Sequence, residues 1–283
     1  MTRHLQACPA RKAAQTEEAS RRGLRKATLL HLKIEGAHAP EYWMHVEIPA
    51  DATLVDLDHF LRDTWVECCG HLSQFKIGNT EYQSNLSEDD IYTAGVKAEI
   101  DRIRDFLRNL DTPDPLLAQA MSRMEQFPEL SDMQVPLSEV LPVGTKVTYE
   151  YDFGSTTELK LTMIGERAGK TRRKLDIDVM ARNDPPKIMC GVCGARPATV
   201  INAWAAWDEA SWMCDECAKA GDYDEEGFLP VVNSPRVGVC GYTGRDSHYI
   251  EDVEFSGYGM IDVGGWSTGD EEESEESEDD DKV

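Results

Sequence analysis

A chain of 283 residues with 41% hydrophobic and 29% charged side chains has material for one or two cored domains plus tails. No apolar run reaches the length of a membrane span, and the basic start MTRHLQACPARKAAQ lacks the hydrophobic segment of a signal peptide, so the expected location is cytoplasmic. A net charge of -24 repels nucleic acid at long range; it disfavours such a partner without excluding a local basic patch.

The charge is unevenly spread. Residues 1–26 carry five Arg and two Lys against two Glu and show no apolar periodicity, which predicts a flexible basic arm. Alternation then begins: Leu30, Leu32 and Ile34 in one strand, and Met44, Val46 and Ile48 in a second after the turn-like Gly36–Pro40. Thr53 is the expected N-cap of a helix over Leu54–Trp65, with Asp56 near its positive end and Leu54, Leu57, Leu61 and Trp65 on one face. A third strand spans Leu72–Ile77.

Residues 91–130 read as a helical insertion. Val96, Ile100, Ile103, Leu107 and Leu110 mark one seam; Leu117, Ala120, Met124 and Phe127 mark another after Thr112-Pro113-Asp114-Pro115. The seams pair as an αα-hairpin or pack on the sheet, a homodimer seam being the alternative. Strand alternation resumes over Lys146–Phe153 (Val147, Tyr149, Tyr151, Phe153), at Leu159, Leu161 and Met163, and at Leu175, Ile177 and Val179. The fold class is therefore α+β, a β-grasp-like roll with a mixed sheet on one main helix. Asp184-Pro185-Pro186 closes a domain at 27–186. A small module and a Gly-rich extension occupy 187–269, and the acidic residues 270–283 are expected to be disordered.

The sharpest chemical signal is Cys190-Gly-Val-Cys193, twenty residues, then Cys214-Asp-Glu-Cys217. Two C-x-x-C knuckles at this spacing bring four thiolates to one ion, and Gly194 offers a tight turn after the first. Four protein ligands leave no open position for a water nucleophile, so the expected cofactor is one structural Zn2+. A redox C-x-x-C fits less well, being single, and spacing alone leaves an iron–sulfur cluster as the other metal alternative. Trp204, Trp207 and Trp212 in the spacer are expected in the module's core, or, if exposed, as a recognition patch.

Weaker candidates complete the list of reactive residues. Cys68-Cys69-Gly-His71 reads more simply as a strand opening at His71; half a metal site is the minor alternative, since no second half stands at a sensible spacing. Asn233-Ser-Pro-Arg236 and Gly238-Val-Cys240-Gly241 form a glycine-rich loop expected to pack on the zinc module. The alternative there is a reactive Cys240 thiol with Arg236 as an anion binder. Asp152 reads as a solvated or turn-capping carboxylate. No P-loop, nucleophile-elbow, H-E-x-x-H or dinucleotide fingerprint occurs.

Leu29 to Glu166 resembles the plasmid pRiA4b ORF-3-like family, often described as mobile-element passenger proteins. The resemblance rests on Pro40-Glu-Tyr-Trp43, Val46-Glu-Ile-Pro49, Thr53-Leu-Val-Asp-Leu57, His71-Leu-Ser-Gln-Phe75 and, most specifically, Tyr149-Glu-Tyr-Asp-Phe-Gly154. Ser155, Thr157 and Leu159 stand where the family has Asp, Trp and His, and Met44 and His45 stand in place of an Arg pair. If the family's polar residues form a site, those members of it are absent from this chain. The segment Leu229–Tyr242 resembles an extension seen in some members.

Composition, site and resemblance together point to a binding or adaptor protein with an unidentified protein partner rather than an enzyme. A nucleic-acid-associated factor using the basic arm is the first alternative. An enzyme joining the Tyr149–Gly154 and Asn233–Tyr242 loops is the second, and it requires those loops to meet.

Overall fold

The computed structural model describes residues 1–83, 102, 129–172, 176–205, 208–221 and 223–244. The N-terminal region departs from the expected flexible arm: Thr2–Ala7 (α1) and Pro9–Ser20 (α2) are helices. Pro9 at the first helical turn and four alanines in α2 favour the helical backbone. Several of the charges that suggested a free arm are engaged instead. Arg11 pairs with Glu47, Glu18 pairs with Arg167 at 3.0 Å, and Arg167 also pairs with Glu47 at 2.6 Å. Leu5 is buried.

The predicted strands form the centre of an eight-stranded mixed sheet. Its strands are Arg25–Gly36 (β1), Trp43–Pro49 (β2), Ser73–Ile77 (β3), Thr80–Gln83 (β4), Glu129–Asp132 (β5), Lys146–Tyr151 (β6), Thr157–Thr171 (β7) and Asp178–Arg182 (β8). They are ordered β5-β4-β3-β6-β7-β1-β2-β8. β4 and β5 pair in parallel; the other pairs are antiparallel. β1 is longer than its apolar alternation suggests because it pairs with the fifteen-residue β7 from Arg25↔Thr171 to Gly36↔Leu159. The fold is thus α+β, with a large sheet and few helices among the described residues.

The alternating residues land on one face. Leu32, Ile34, Met44, Val46, Ile48, Phe75, Tyr149, Tyr151, Leu159, Leu161 and Met163 are buried in one apolar cluster. Leu54–Leu61 (α3) lays Leu54, Leu57 and Leu61 into it. Thr53 and Asp56 form the capping box that starts this helix: Thr53 Oγ1 accepts from the Asp56 N–H, and Asp56 accepts from the Thr53 N–H at 2.7 Å. The helix widens into a π turn over Arg62–Val66 that buries Trp65 and delivers the chain into the loop at Glu67. Leu137–Val140 (α4) follows β5.

Two expectations fail at the end of β6. Phe153 is 46% exposed because Asp152 takes φ 65° and turns the chain out of the alternation. His71 does not open β3; it lies in the loop before Ser73. On the other side of the sheet, His31 and His45 are buried with Nε2 and Nδ1 2.9 Å apart, a contact that needs both rings neutral or one shared proton. Burial lowers both imidazoles, that of His45 to about 4.

The predicted helical insertion at 91–130, with its possible dimer seam, lies outside the described residues except at residue 102 and at its last residues, where β5 begins. The acidic segment 270–283 and Leu175 also lie outside them.

Candidate functional site

The four cysteines of the paired knuckles meet. The sulfurs of Cys190, Cys193, Cys214 and Cys217 all lie within 4.8 Å of one another, Cys193 and Cys214 at 4.0 Å. Four thiolates at about 2.3 Å from one ion stand about 3.8 Å apart, so the arrangement fits a tetrahedral site with small adjustments.

Local structure explains the convergence. The first knuckle is a turn in which the Gly194 N–H donates to the Cys190 carbonyl at 2.8 Å, Gly194 adopting φ 62°. The Cys190 N–H donates to the Arg196 carbonyl, and Met189 bridges Pro197. The second knuckle starts a helix, Asp215–Ala220 (α5), with Cys214 at its N-cap and Cys217 one turn on. A small sheet holds the halves together: Trp212–Met213 (β10), Val200–Asn202 (β9) and Phe228–Pro230 (β11), with β9 central. The knuckles touch where the Gly191 N–H donates to the Trp212 carbonyl at 2.8 Å.

The thiols themselves show what such packing does. Backbone N–H groups, that of Cys193 foremost, hold the Cys190 thiol down at about 6, and the N–H of Ala195 lowers Cys193. Burial and then the neighbouring thiols push Cys217 up to about 12. Four thiolates cannot all ionise against one another, and a divalent cation removes that penalty.

The tryptophans divide. Trp212 is half-buried and packs against the main core, whereas Trp204 is 63% exposed; Trp207 lies outside the described residues. Beside the first knuckle an open groove is lined by Ile188, Met189, Gly191, Asp208, Glu209 and Trp212.

A second convergence was not legible from spacing. Cys68, Cys69 and His71 are joined by Cys240, their ligand atoms again all within 4.8 Å of one another. His71 Nε2 is 3.0 Å from the Cys69 sulfur and 3.2 Å from that of Cys240, and the Cys68 and Cys69 sulfurs are 3.6 Å apart. The half-site thus has a partner, supplied by a segment about 170 residues away. The Tyr149–Gly154 and Asn233–Tyr242 loops meet here as well. Arg236, fully buried, donates to Asp152 at 2.7 Å, to Thr157 Oγ1 at 2.9 Å, to the Ser155 carbonyl at 3.0 Å and to the Cys68 sulfur at 3.4 Å. Asp152 is accordingly not a solvated carboxylate. Burial alone would raise it; the Arg236 hydrogen bond and the N–H groups of Ser155 and Gly154 outweigh that and set it below its ordinary value. Arg236 thus commits Nη1 and Nη2 to the protein, its Nε being buried without a partner, and its full burial removes it from the surface as an anion binder.

The glycine-rich loop packs mainly on the large sheet rather than on the module alone. Ser234 Oγ donates to the Trp65 carbonyl at 2.6 Å, the Asn183 amide donates to Asn233 Oδ1 at 2.8 Å, and Val237 joins the main core. Its contact with the module is at Gly238, whose Cα leaves no room for a side chain against Ile201. Counting would have found the second cluster: once the two knuckles are set aside, Cys68, Cys69 and Cys240 are three of the four cysteines left in the chain, and the first two stand just before a histidine.

A family model described as plasmid pRiA4b ORF-3-like protein matches residues 26–195. The match includes Cys190 and Cys193 but stops before Cys214 and Cys217. No curated protein matches the chain. Among solved structures, a protein of unknown function from Methanosarcina mazei Go1, MM3350, is similar at 15% identity over 55% of this chain and 69% of its own, with a TM-score of 0.35. No helix among the described residues is long and apolar enough to cross a membrane.

Proposed function

The chain belongs to the plasmid pRiA4b ORF-3-like family, and we propose that this member is a non-catalytic binding protein whose C-terminal module is shaped by one structural zinc ion. Cys190, Cys193, Cys214 and Cys217 fill the coordination sphere of that ion, so it holds the two knuckles together and performs no reaction. The β-grasp-like roll of the main sheet is the frame from which the module projects, and a reducing cytoplasm keeps the thiols available.

The observation that carries the binding role is the groove beside the first knuckle. Its lining offers Ile188, Met189 and Trp212 as apolar groups and Asp208 and Glu209 as acids. Met189, 45% exposed, leaves apolar surface open in that lining. An apolar anchor flanked by Lys or Arg complements that lining, and the chain's net charge of -24 speeds encounter with basic partners. The proposed partner is therefore a protein segment of apolar-basic character.

Selection of peptides from a random display library on the zinc-loaded protein tests this. Enrichment of apolar-basic peptides, lost in Met189→Asp with zinc content unchanged, supports the proposal. Enrichment unaffected by Met189→Asp, or none, refutes it. A nucleic-acid role predicts instead affinity that falls steeply with salt and disappears when residues 1–26 are removed.

A further inference from the structure

We propose that Cys68, Cys69, His71 and Cys240 form a second zinc site, a latch that fastens the C-terminal extension at 231–242 onto the sheet domain. The proposal is independent of the four-cysteine site and of the groove.

Geometry comes first. A tetrahedral zinc ion with three sulfurs and one nitrogen places its sulfurs about 3.8 Å apart and each sulfur about 3.6 Å from the nitrogen. The observed separations are 3.6 Å and 4.0 Å between Cys69 and its two cysteine neighbours, and 3.0 Å and 3.2 Å from sulfur to His71 Nε2. An ion entering the centre spreads the imidazole from Cys69 and Cys240 by about half an ångström, and the pairs of Cys68 with His71 and Cys240 also lie within 4.8 Å.

The backbone on both sides is built to aim these groups. On the sheet side, the Tyr151 hydroxyl accepts from the His71 N–H at 3.2 Å and donates to Glu67 at 2.9 Å, while Glu67 accepts from the Gly70 N–H at 2.6 Å. The loop 67–71 is therefore closed over one tyrosine. On the extension side, Cys240 takes φ 49°, a left-handed conformation that costs a non-glycine residue about 1 kcal/mol or more. Gly238 and Gly241 beside it are left-handed too. Such a backbone turns the Cys240 thiol back onto Cys69 and His71.

Charge follows. Three thiolates and a neutral imidazole around a dication leave one net negative charge. Arg236 donates to the Cys68 sulfur and offsets part of it, and Cys69 and Cys240 are exposed residues. Arg236 is thus a positioning residue: it ties the extension to Asp152 and Cys68 at once, and the metal ties Cys240 to the same loop. All four ligands come from the protein, so the site is closed and structural. Because Cys69 and Cys240 are exposed whereas Cys190 and Cys214 are buried, a chelator reaches this ion first.

Zinc counting by elemental analysis and native mass spectrometry of the reduced full chain tests the latch. Two ions per chain are expected, falling to one in Cys69→Ser/Cys240→Ser and in a second variant, His71→Ala. Hydrogen exchange at 231–242 should accelerate in both. One ion in the wild type and still one in the serine variant overturns the latch and leaves the four-cysteine site standing. One ion in the wild type and none in the serine variant does the reverse. A Cys69–Cys240 disulfide in place of the second ion, or loss of the ion with no change in exchange at 231–242, also overturns the proposal.

Discussion

Arg236→Met removes a guanidinium that is wholly inside the protein while keeping most of its aliphatic volume. Asp152, 7% exposed at its side chain, then loses its arginine partner and keeps His71 Nε2 at 3.5 Å, while Thr157 Oγ1 and the Ser155 carbonyl lose a donor. Breaking a buried pair by removing one partner costs about 3–5 kcal/mol. Asp152 keeps N–H donors from Gly154 and Ser155, which places the expectation at the lower end, about 3 kcal/mol. Asp152→Asn is the matching perturbation, because asparagine tolerates the φ of 65° at this position and so isolates charge from backbone strain. In urea unfolding of the zinc-loaded, reduced protein, the double variant should cost less than the two single variants together, by about 2 kcal/mol. A cost of under about 0.5 kcal/mol for Arg236→Met, or strict additivity, refutes the assignment of this pair as the tie between extension and sheet.

Three further outcomes are expected. The His45 imidazole is held near 4 by burial, so between pH 6.5 and 4 the unfolded chain binds a proton that the native one does not. Stability should therefore rise with pH across that window, by about 3 kcal/mol from this residue, and His45→Gln should flatten the difference; urea midpoints from pH 4.5 to 7.5 measure it. Thr53→Ala removes the cap of α3 and should cost about 1 kcal/mol in the same assay, with no change in zinc content. Gly191→Ala drives a methyl group into the Glu209 backbone carbonyl, so zinc affinity in chelator competition should fall while the main thermal transition stays in place.

The fold was most legible where one residue in two faces a core. Leu32, Ile34, Met44, Val46, Ile48, Val147, Tyr149, Leu159 and Leu161 declare their strands by alternation and are all buried. Thr53 and Asp56 declare the helix start because a cap is a local contact. The pattern misled where the backbone turned for a reason held elsewhere, as at Asp152, whose left-handed conformation is held by a residue 84 positions away. The second N-terminal helix escaped notice because ion pairs to Glu47 and Arg167, not an apolar stripe, hold it. The same distinction separates the two cysteine clusters. C-x-x-C knuckles carry their geometry in their spacing, whereas Cys240 reaches Cys69 through a chain return that no local spacing encodes. Trp204 was expected in the core of so small a module, with exposure as the alternative; it lies on the surface, against Gly227.

The central claim is that four sulfurs around one ion shape the C-terminal module. Alkylation of the native Cys69→Ser/Cys240→Ser protein, followed by peptide mapping, tests it most directly. Cys190, Cys193, Cys214 and Cys217 should resist the reagent as a group and become reactive together when a strong chelator is added. Exposed Cys193 reacting at full rate before any chelator, with the chelator changing nothing, would contradict the account.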